Sequence, residues 1–333
     1  MQPPDLIVMV YRDQDLPPET LTAALNQAGQ VHAAAAARAG MAWRIIPVSA
    51  IVPAATGQPR LWVDGHDLLE QPGSALVGVQ VDDFSNDPQT DQALAAIRAT
   101  VAAAPGAVLL NHPDHLPHQL VTDKLSIAHH AQALGIPAIP TLALPAGRHA
   151  RGALPQIRAC LGHGPYLLKP RRLGMGYGIV RAADPAELSG ALDVIGATGI
   201  GYVAQPCLPN DGDLRLFLTD GDVLYPQHRR GGLVANTHQG GTSTTGDPAL
   251  VRELAAAARQ VADSLRSPLL HTDWLITADG PVLTEWSTGL GGFSPVPEPH
   301  RTIIGDAQFG WIRRRLDALR DTCTVRTQPA SPR

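Results

Sequence analysis

Lysine is almost absent from this chain: Lys124 and Lys169 are the only two among 26 lysine and arginine residues. A sequence that puts arginine at nearly every other basic position keeps the compact ammonium at two, and the two cations are not interchangeable where a charge must fit against phosphate oxygens. Drift in an alanine-, arginine- and proline-rich composition is the competing explanation. Cysteine is scarce as well. Cys160, Cys207 and Cys323 are odd in number and show no pairing or ligand spacing, which excludes a disulfide framework and fits a reducing compartment, the cytoplasm. No cluster of cysteine and histidine marks a metal site. No stretch approaches the roughly 20 apolar residues of a membrane span, and the early run LIVMVY is too short and wrongly flanked for a signal peptide. A cytoplasmic protein with no membrane partner is expected. The formal net charge of −4 argues against a nucleic-acid-binding surface. The phosphate fingerprints G-x-G-x-x-G and G-x-x-x-x-G-K-[ST] are missing too.

What is present is a chain of 333 residues, 44% hydrophobic and 17% charged, enough for a real core and for two or three domains of about 150 residues. The stretch from Tyr166 to Val180, YLLKPRRLGMGYGIV, organises it. Tyr166, Leu167 and Leu168 read as a buried strand that delivers Lys169 and Pro170 into an arginine-rich loop carrying Gly174, Gly176 and Gly178. Glycines let backbone N–H groups approach an anion closely, and the lysine supplies a point charge. A strand-like piece follows the loop, so the pattern is a strand-loop-strand flap rather than a helix-dipole phosphate site. A glycine-rich hairpin without a ligand would look the same.

The N-terminal hundred residues alternate between strands and helices: strands at 6–11, 43–48, 61–63, 75–81 and 107–110, with helices at 18–29, 33–40 and 91–104. Gly29 and Gly40 read as helix terminators. A second unit begins near Asn111, with a helix from 119 to 134 carrying Lys124, an extended segment from 136 to 144, a helix from 155 to 161, the glycine loop, and a helix from 184 to 195 opened by an Asp-Pro cap. The third begins near Gly201, with strands at 202–205, 214–219 and 223–227, a loop from 229 to 246, a helix from 248 to 265, strands at 271–277 and 281–285, and a last helix from 306 to 319. Asp220-Gly221 and Asp279-Gly280 have the chemistry of hairpin turns.

Asp273 within one strand and Glu285 at the end of its hairpin partner can lie side by side on one face of an antiparallel pair. Carboxylates held so close repel unless positive charge lies between them, and beside phosphate the natural choice is Mg2+. Ser287, two residues on, is placed to join them. Two separate solvated charges at a sheet edge is the competing reading. Arg215, Arg229 and Arg230 occupy the preceding hairpin and Asn236, His238, Gly240 and Gly241 the loop after it; guanidinium forks suit phosphate or carboxylate, and asparagine suits phosphate oxygen or metal.

Taken in order, the segments TDKLSIAHHAQALGIPAIPT, LLKPRRLGMGYGIV, VAQPCLP, DLRLFLTDGDV, NTHQGG and HTDWLITADGPVLTEWS resemble those of the ATP-grasp carboxylate-amine ligases. The look is nearest to RimK-like α-L-glutamate ligases and bacterial glutathione synthetases. The resemblance covers roughly Asn111 to Gly292. It implies a mixed α/β and α+β chain with the ATP-grasp fold: a preATP-grasp α/β domain over 1–110, a central subdomain with the glycine loop over 111–200, a C-terminal subdomain with the metal site over 201–322, and a polar, disordered tail over 323–333.

The resemblance also implies roles. Lys124 and Lys169 are the nucleotide lysines, and Gly174, Gly176 and Gly178 the flap over the phosphates. Gln205, Cys207 and Leu208 belong to the hinge that meets adenine, Asp213 lies near the ribose, and Asn236 joins the nucleotide site. Arg215 and Arg229, with Lys169, act on the phosphoryl and acyl groups; Asp273, Glu285 and Ser287 hold one or two Mg2+ ions. The implied reaction spends ATP to activate an amino acid or peptide carboxylate as an acylphosphate and joins it to an amine, with release of ADP. Readings that remain open are a peptide or protein acceptor docked on the N-terminal domain, a nucleotide-binding shell without ligation, and a phosphotransferase. A homodimer would be ordinary for the resembled families. Three departures stand out: Ser287 replaces the asparagine of the usual Glu-x-Asn, Val234 replaces the arginine before Asn236, and Pro206 replaces a common hinge carboxylate. They bear on metal stoichiometry and acyl substrate more than on fold.

Overall fold

Uniformly apolar runs favour strands buried on both faces, the condition of a parallel sheet, and the N-terminal runs form one. In the computed structural model, which describes residues 3–13, 18–81, 85, 87–111, 123–232 and 241–326, β1 (Asp5–Tyr11), β2 (Met41–Pro47), β6 (Val77–Val81) and β7 (Ala107–Leu109) pair in parallel in the order β2-β1-β6-β7. The chain divides into two units, one of residues 1–82, 88–112 and 289–333 and one of 83–87 and 113–288.

In the first unit Leu6, Val8 and Val10 pack with Val77, Val79 and Val81 and with Leu94, Ile97 and Val101 of α2 (Pro88–Ala103). A small antiparallel sheet of β3 (Val52–Ala55), β4 (Pro59–Val63) and β5 (His66–Asp67) adds Leu61 and Val63 to that core. The two helices expected at 18–29 and 33–40 are one, α1 (Pro18–Arg38). Gly29 is no terminator: it lacks the positive φ of a helix-ending glycine and continues the helix, and an added Cβ would make only ordinary contact with Ile45 at 3.5 Å. Gly40, at φ 71°, ends the helix as expected.

The closing helix is longer than its expected span of 306–319. It is α7 (His300–Arg326), so residues 323–326 of the expected tail continue a helix, and 327–333 lie outside the described residues. Its partners are in the first unit. The rings of Phe293 and Phe309 meet His32 and Trp43 at centroid separations of 4.6 to 6.2 Å, and Asp5 at the foot of β1 accepts hydrogen bonds from Arg320 Nη2 at 2.7 and 2.8 Å and pairs with Arg313. Burial alone would raise the Asp5 pKa, but the Leu76 N–H and the two arginines outweigh it and the net shift is downward. A lowered folded pKa contributes stability above the unfolded value of 3.8 that is lost as pH falls through the folded value. Asp5→Asn is therefore expected to lower unfolding free energy by about 2 kcal/mol near neutrality, and its denaturation midpoint should converge on that of the parent as the pH falls through the lowered folded pKa of Asp5.

The second unit holds two sheets. β8 (Leu142–Ala143), β9 (Tyr166–Pro170), β10 (Val180–Ala182) and β11 (Tyr202–Pro206) form the first, in the order β10-β9-β11-β8, and β12 (Asp213–Thr219), β13 (Asp222–Arg230), β14 (Thr242–Thr245), β15 (Leu269–Thr277) and β16 (Gly280–Thr288) the second, in the order β14-β13-β12-β15-β16. Tyr166, Leu168, Tyr202 and Ala204 cover one face of the first sheet with α4 (Leu154–Leu161) and α5 (Pro185–Gly196). Asp184 caps α5 by accepting from the N–H groups of Ala186 and Glu187.

The helix expected from 119 to 134 is α3 (Lys124–Ala133); residues 119–122 lie outside the described ones. It packs on the second sheet. Ile127, Ala131 and Ile136 share a core with Leu214, Leu216, Trp274, Leu283 and Trp286 and with the apolar face of α6 (Pro248–Leu265). The extended segment from 136 to 144 pairs only at its ends: Leu283 exchanges hydrogen bonds with Pro137 and Ile139, at 2.8 and 2.9 Å, and strand pairing begins at Leu142. A prolyl nitrogen donates nothing to a ladder, and Pro137 and Pro140 interrupt it. Among the described residues no helix is long and apolar enough to cross a membrane.

Candidate functional site

Alternation along the second sheet sorts its residues by face. Leu214, Leu216 and Trp274 point into the core, and the register sets Asp213 opposite Arg229, Arg215 opposite Asp273, and Asp273 opposite Glu285. Directly opposed residues share a face. The hairpin strand expected to end at Glu285 continues to Thr288, and a bulge at Thr284 shifts the register between Asp273 and Trp274. The extra residue lets Thr284 Oγ1 donate to Asp273 O at 3.0 Å while Glu285 stays opposite Asp273. Bulges commonly re-aim a side chain at a site. This one presents both Thr284 and Glu285 to a cavity.

That cavity is lined by Lys124, Lys169, Arg215 and Arg229, by Asp213, Asp273 and Glu285, and by the loop residues Leu173 to Gly176 with Ile179. Lys124 opens α3. Asp123 caps the helix by accepting from Leu125 and Ser126, and takes Arg171 Nε at 2.7 Å on its other oxygen. This holds the Lys124 ammonium, 6% exposed, where it donates to Leu173 O at 2.9 Å and faces Glu285 Oε1 at 3.3 Å. The loop turns through Met175 and Gly176 at φ 60° and 76°. Gly178 is not on the cavity wall. It anchors the flap: Tyr202 donates to its carbonyl at 3.1 Å, and an added Cβ would lie 2.9 Å from Pro170 Cγ.

Each carboxylate of the cavity is met by a cation, Glu285 by Lys124 and the other two by guanidinium groups. Arg215 grips Asp273 through Nε and Nη2, both at 2.7 Å; Arg229 Nη2 adds a third contact at 3.0 Å and Arg229 Nε holds Asp213 at 2.5 Å. Burial would raise the Asp273 pKa, yet the two guanidinium groups hold it far below the carboxylate range. Asp213 goes the other way, raised by burial and by Asp273 against the pull of Arg229. Burial and then Lys124 push Lys169 down to about 8. Burial, then the cations of Arg215 and Arg229, push His271 down to about 3. Among the described residues no group of three or more His, Cys, Asp and Glu side chains is arranged to hold a metal ion.

The cavity thus gathers Lys124, Lys169, Gly174, Gly176, Asp213, Arg215, Arg229, Asp273 and Glu285. Ser287 shares the face of Glu285 one pair further on, opposite His271, and is not on the wall. Gln205 lies in β11, with Cys207 and Leu208 just after it, away from the wall. Asn236 lies outside the described residues, as do Val234 and His238. Thr284 and Asp123 were not anticipated. A bulge leaves no sequence signal, but an aspartate directly before a helix start does, and it could have identified Asp123.

No protein-family model matches the chain, and neither does any curated protein. Solved structures do. D-cycloserine synthetase DcsG aligns with a TM-score of 0.66 at 17% identity, over 93% of this chain and 99% of that one. D-alanyl-alanine synthetase A from Vibrio cholerae aligns at 0.68 and 13%, over 98% and 100%, and a RimK domain ATP-grasp protein from Sphaerobacter thermophilus at 0.61 and 15%, over 92% and 99%.

Proposed function

We propose, from the ATP-grasp fold that this chain has, that the cavity binds ATP with magnesium and that the protein is an ADP-forming ligase joining a carboxylate to an amine. The carrying observation is the convergence of four cations and three carboxylates beneath a glycine loop. Lys124 and Lys169 would meet the phosphates under the flap, and Arg215 and Arg229 would stabilise charge on the transferring phosphoryl and acyl groups. Asp273 and Glu285 fit magnesium, a hard ion that takes one or two carboxylates together with substrate phosphates. Glu285 Oε1 is buried, with Lys124 Nζ at 3.3 Å as an ion-pair contact and no hydrogen bond; Ser287, one pair further along the same face and off the cavity wall, would contribute a hydroxyl oxygen only from outside that lining. When bound, magnesium would neutralise phosphate charge and orient the triphosphate.

The substrate carboxylate attacks the γ-phosphorus, the bond to the bridging oxygen breaks, and ADP leaves. The amine then attacks the acylphosphate carbonyl, phosphate leaves, and the amine proton passes to solvent. The chain's own contribution is positioning and preorganised charge. Similarity to a D-alanyl-alanine synthetase supports an amino acid or peptide as the acid and a free amine or peptide as the acceptor. With hydroxylamine as the amine, a panel of amino acids and dipeptides should yield ADP and a hydroxamate for the right acid. A panel in which no acid elicits ADP would refute ligation.

A second reading is a nucleotide-binding protein that does not ligate. The full engagement of Asp273 by two guanidinium groups favours it, as does a hydroxyl in place of the third donor. It is expected to show thermal stabilisation by ATP and magnesium with no ADP formed.

A further inference from the structure

We infer that Thr141 sets the base preference of the nucleotide site by locking the side-chain amide of Gln205; the inference rests on the nucleotide reading above. Gln205 is 1% exposed in the middle of β11. The register pairs Val203 with Lys169 and Gln205 with Leu167, so Gln205 is on the sheet face that carries Lys169, opposite the core face of Tyr166, Leu168, Tyr202 and Ala204. At a strand rise of about 3.3 Å per residue it is about 7 Å along the strand from the row of Lys169. With polyphosphate at the lysines, a nucleoside end running along this face would reach Gln205, which the ligand-free chain keeps covered.

The amide has only one orientation. Thr141 has a single hydroxyl hydrogen, and it donates that hydrogen to Ile139 O at 2.9 Å. Toward Gln205 it can therefore only accept, so the amide atom 2.9 Å away must be the donor Nε2. Turning the amide over would set Oε1 against an oxygen whose hydrogen is already committed. The relay leaves Oε1 as a fixed acceptor, and that atom is buried with no hydrogen-bond partner. A buried acceptor left unmatched by its own chain is completed when a ligand brings a donor.

The 6-position of a purine decides whether a donor arrives. Adenine offers an amino group there and guanine a carbonyl oxygen. A fixed acceptor bonds the first and repels the second, and this combination of attraction and repulsion produces selectivity. Leu167 and Val203, which flank Gln205 on this face, add no polar group that would reverse the choice.

The test is equilibrium binding of the non-hydrolysable ATP and GTP analogues with magnesium, read by calorimetry alongside thermal stability. The parent protein should prefer the adenine nucleotide by about tenfold or more, the equivalent of one hydrogen bond. Thr141→Val keeps the shape and removes the acceptor, freeing the amide to turn, so the preference should fall about tenfold with part of the change appearing as gained GTP-analogue binding. Thr141→Ser should restore it. An unchanged preference in folded Thr141→Val overturns the inference. Should that variant fail to fold, Gln205→Glu, which can only accept, should retain the adenine preference while Gln205→Met loses it; equal preferences in those two would overturn the inference equally. A parent protein that binds neither analogue refutes the nucleotide reading instead.

Discussion

Asp273→Ala should abolish ATP-dependent turnover and destabilise the fold in the same variant. The carboxylate accepts two hydrogen bonds from Arg215 and pairs with Arg229 Nη2 at 3.0 Å, and the side chains of Asp273 and Arg229 are only 11% and 8% exposed. Removing it leaves Arg215 without its partner and Arg229 with Asp213 alone. Breaking a buried ion pair from one side costs about 3–5 kcal/mol, because the stranded charge remains desolvated. Urea denaturation should show that loss. Arg215→Met added to Asp273→Ala should return part of the stability, since the stranded cation is then gone, and should return none of the turnover. Asp273→Asn keeps the volume, forfeits the charge and a hard oxygen donor, and should lose about a thousandfold in ADP formation. An Asp273→Ala protein as stable as the parent would mean that the ion lattice carries no load, and one that still forms ADP would remove Asp273 from the chemistry.

Much of this site was readable from residue order alone. Two lysines in an arginine-rich chain marked the two ammonium groups of the cavity, and period-2 alternation with an Asp-Gly turn was enough to put Asp273 and Glu285 on one face. What could not be read depends on partners distant in sequence. The bulge at Thr284, the grip of Arg215 and Arg229 on Asp273, and the capping of α3 by an aspartate that also holds Arg171 exist only once the sheets are assembled. Gly29 misled because a glycine letter does not show its φ: Gly40 adopts the left-handed turn that ends a helix and Gly29 does not. The return of α7 to the first unit likewise rests on Asp5, more than 300 positions away from Arg313 and Arg320, and no local pattern near residue 300 announces it.

Nucleotide affinity should fall as pH rises through about 8, and Lys169 should be the cause. Burial first, then the neighbouring Lys124, lowers its pKa from 10.5 to about 8. A polyphosphate beside the ammonium favours the charged form and raises that pKa, so binding takes up a proton wherever the free site has lost one. Below about pH 7 affinity for the ATP analogue should be flat. Above 8 it should decline toward tenfold per pH unit, and calorimetry in buffers of different ionisation enthalpy should show proton uptake at pH 8.5. Lys169→Arg, charged throughout, should flatten the profile; a profile unchanged by that substitution would assign the break to another group. In the ligand-free protein the linkage has the opposite consequence. A lowered lysine pKa means the folded state resists the charge that the unfolded state accepts, so the cost is full below about pH 8 and fades as pH rises toward 10.5. Lys169→Met should therefore gain about 3 kcal/mol of stability at pH 7 without nucleotide while losing about a hundredfold or more in ADP formation. Stability surrendered at a residue that the reaction needs is the expected signature of a charge placed for a ligand rather than for the fold.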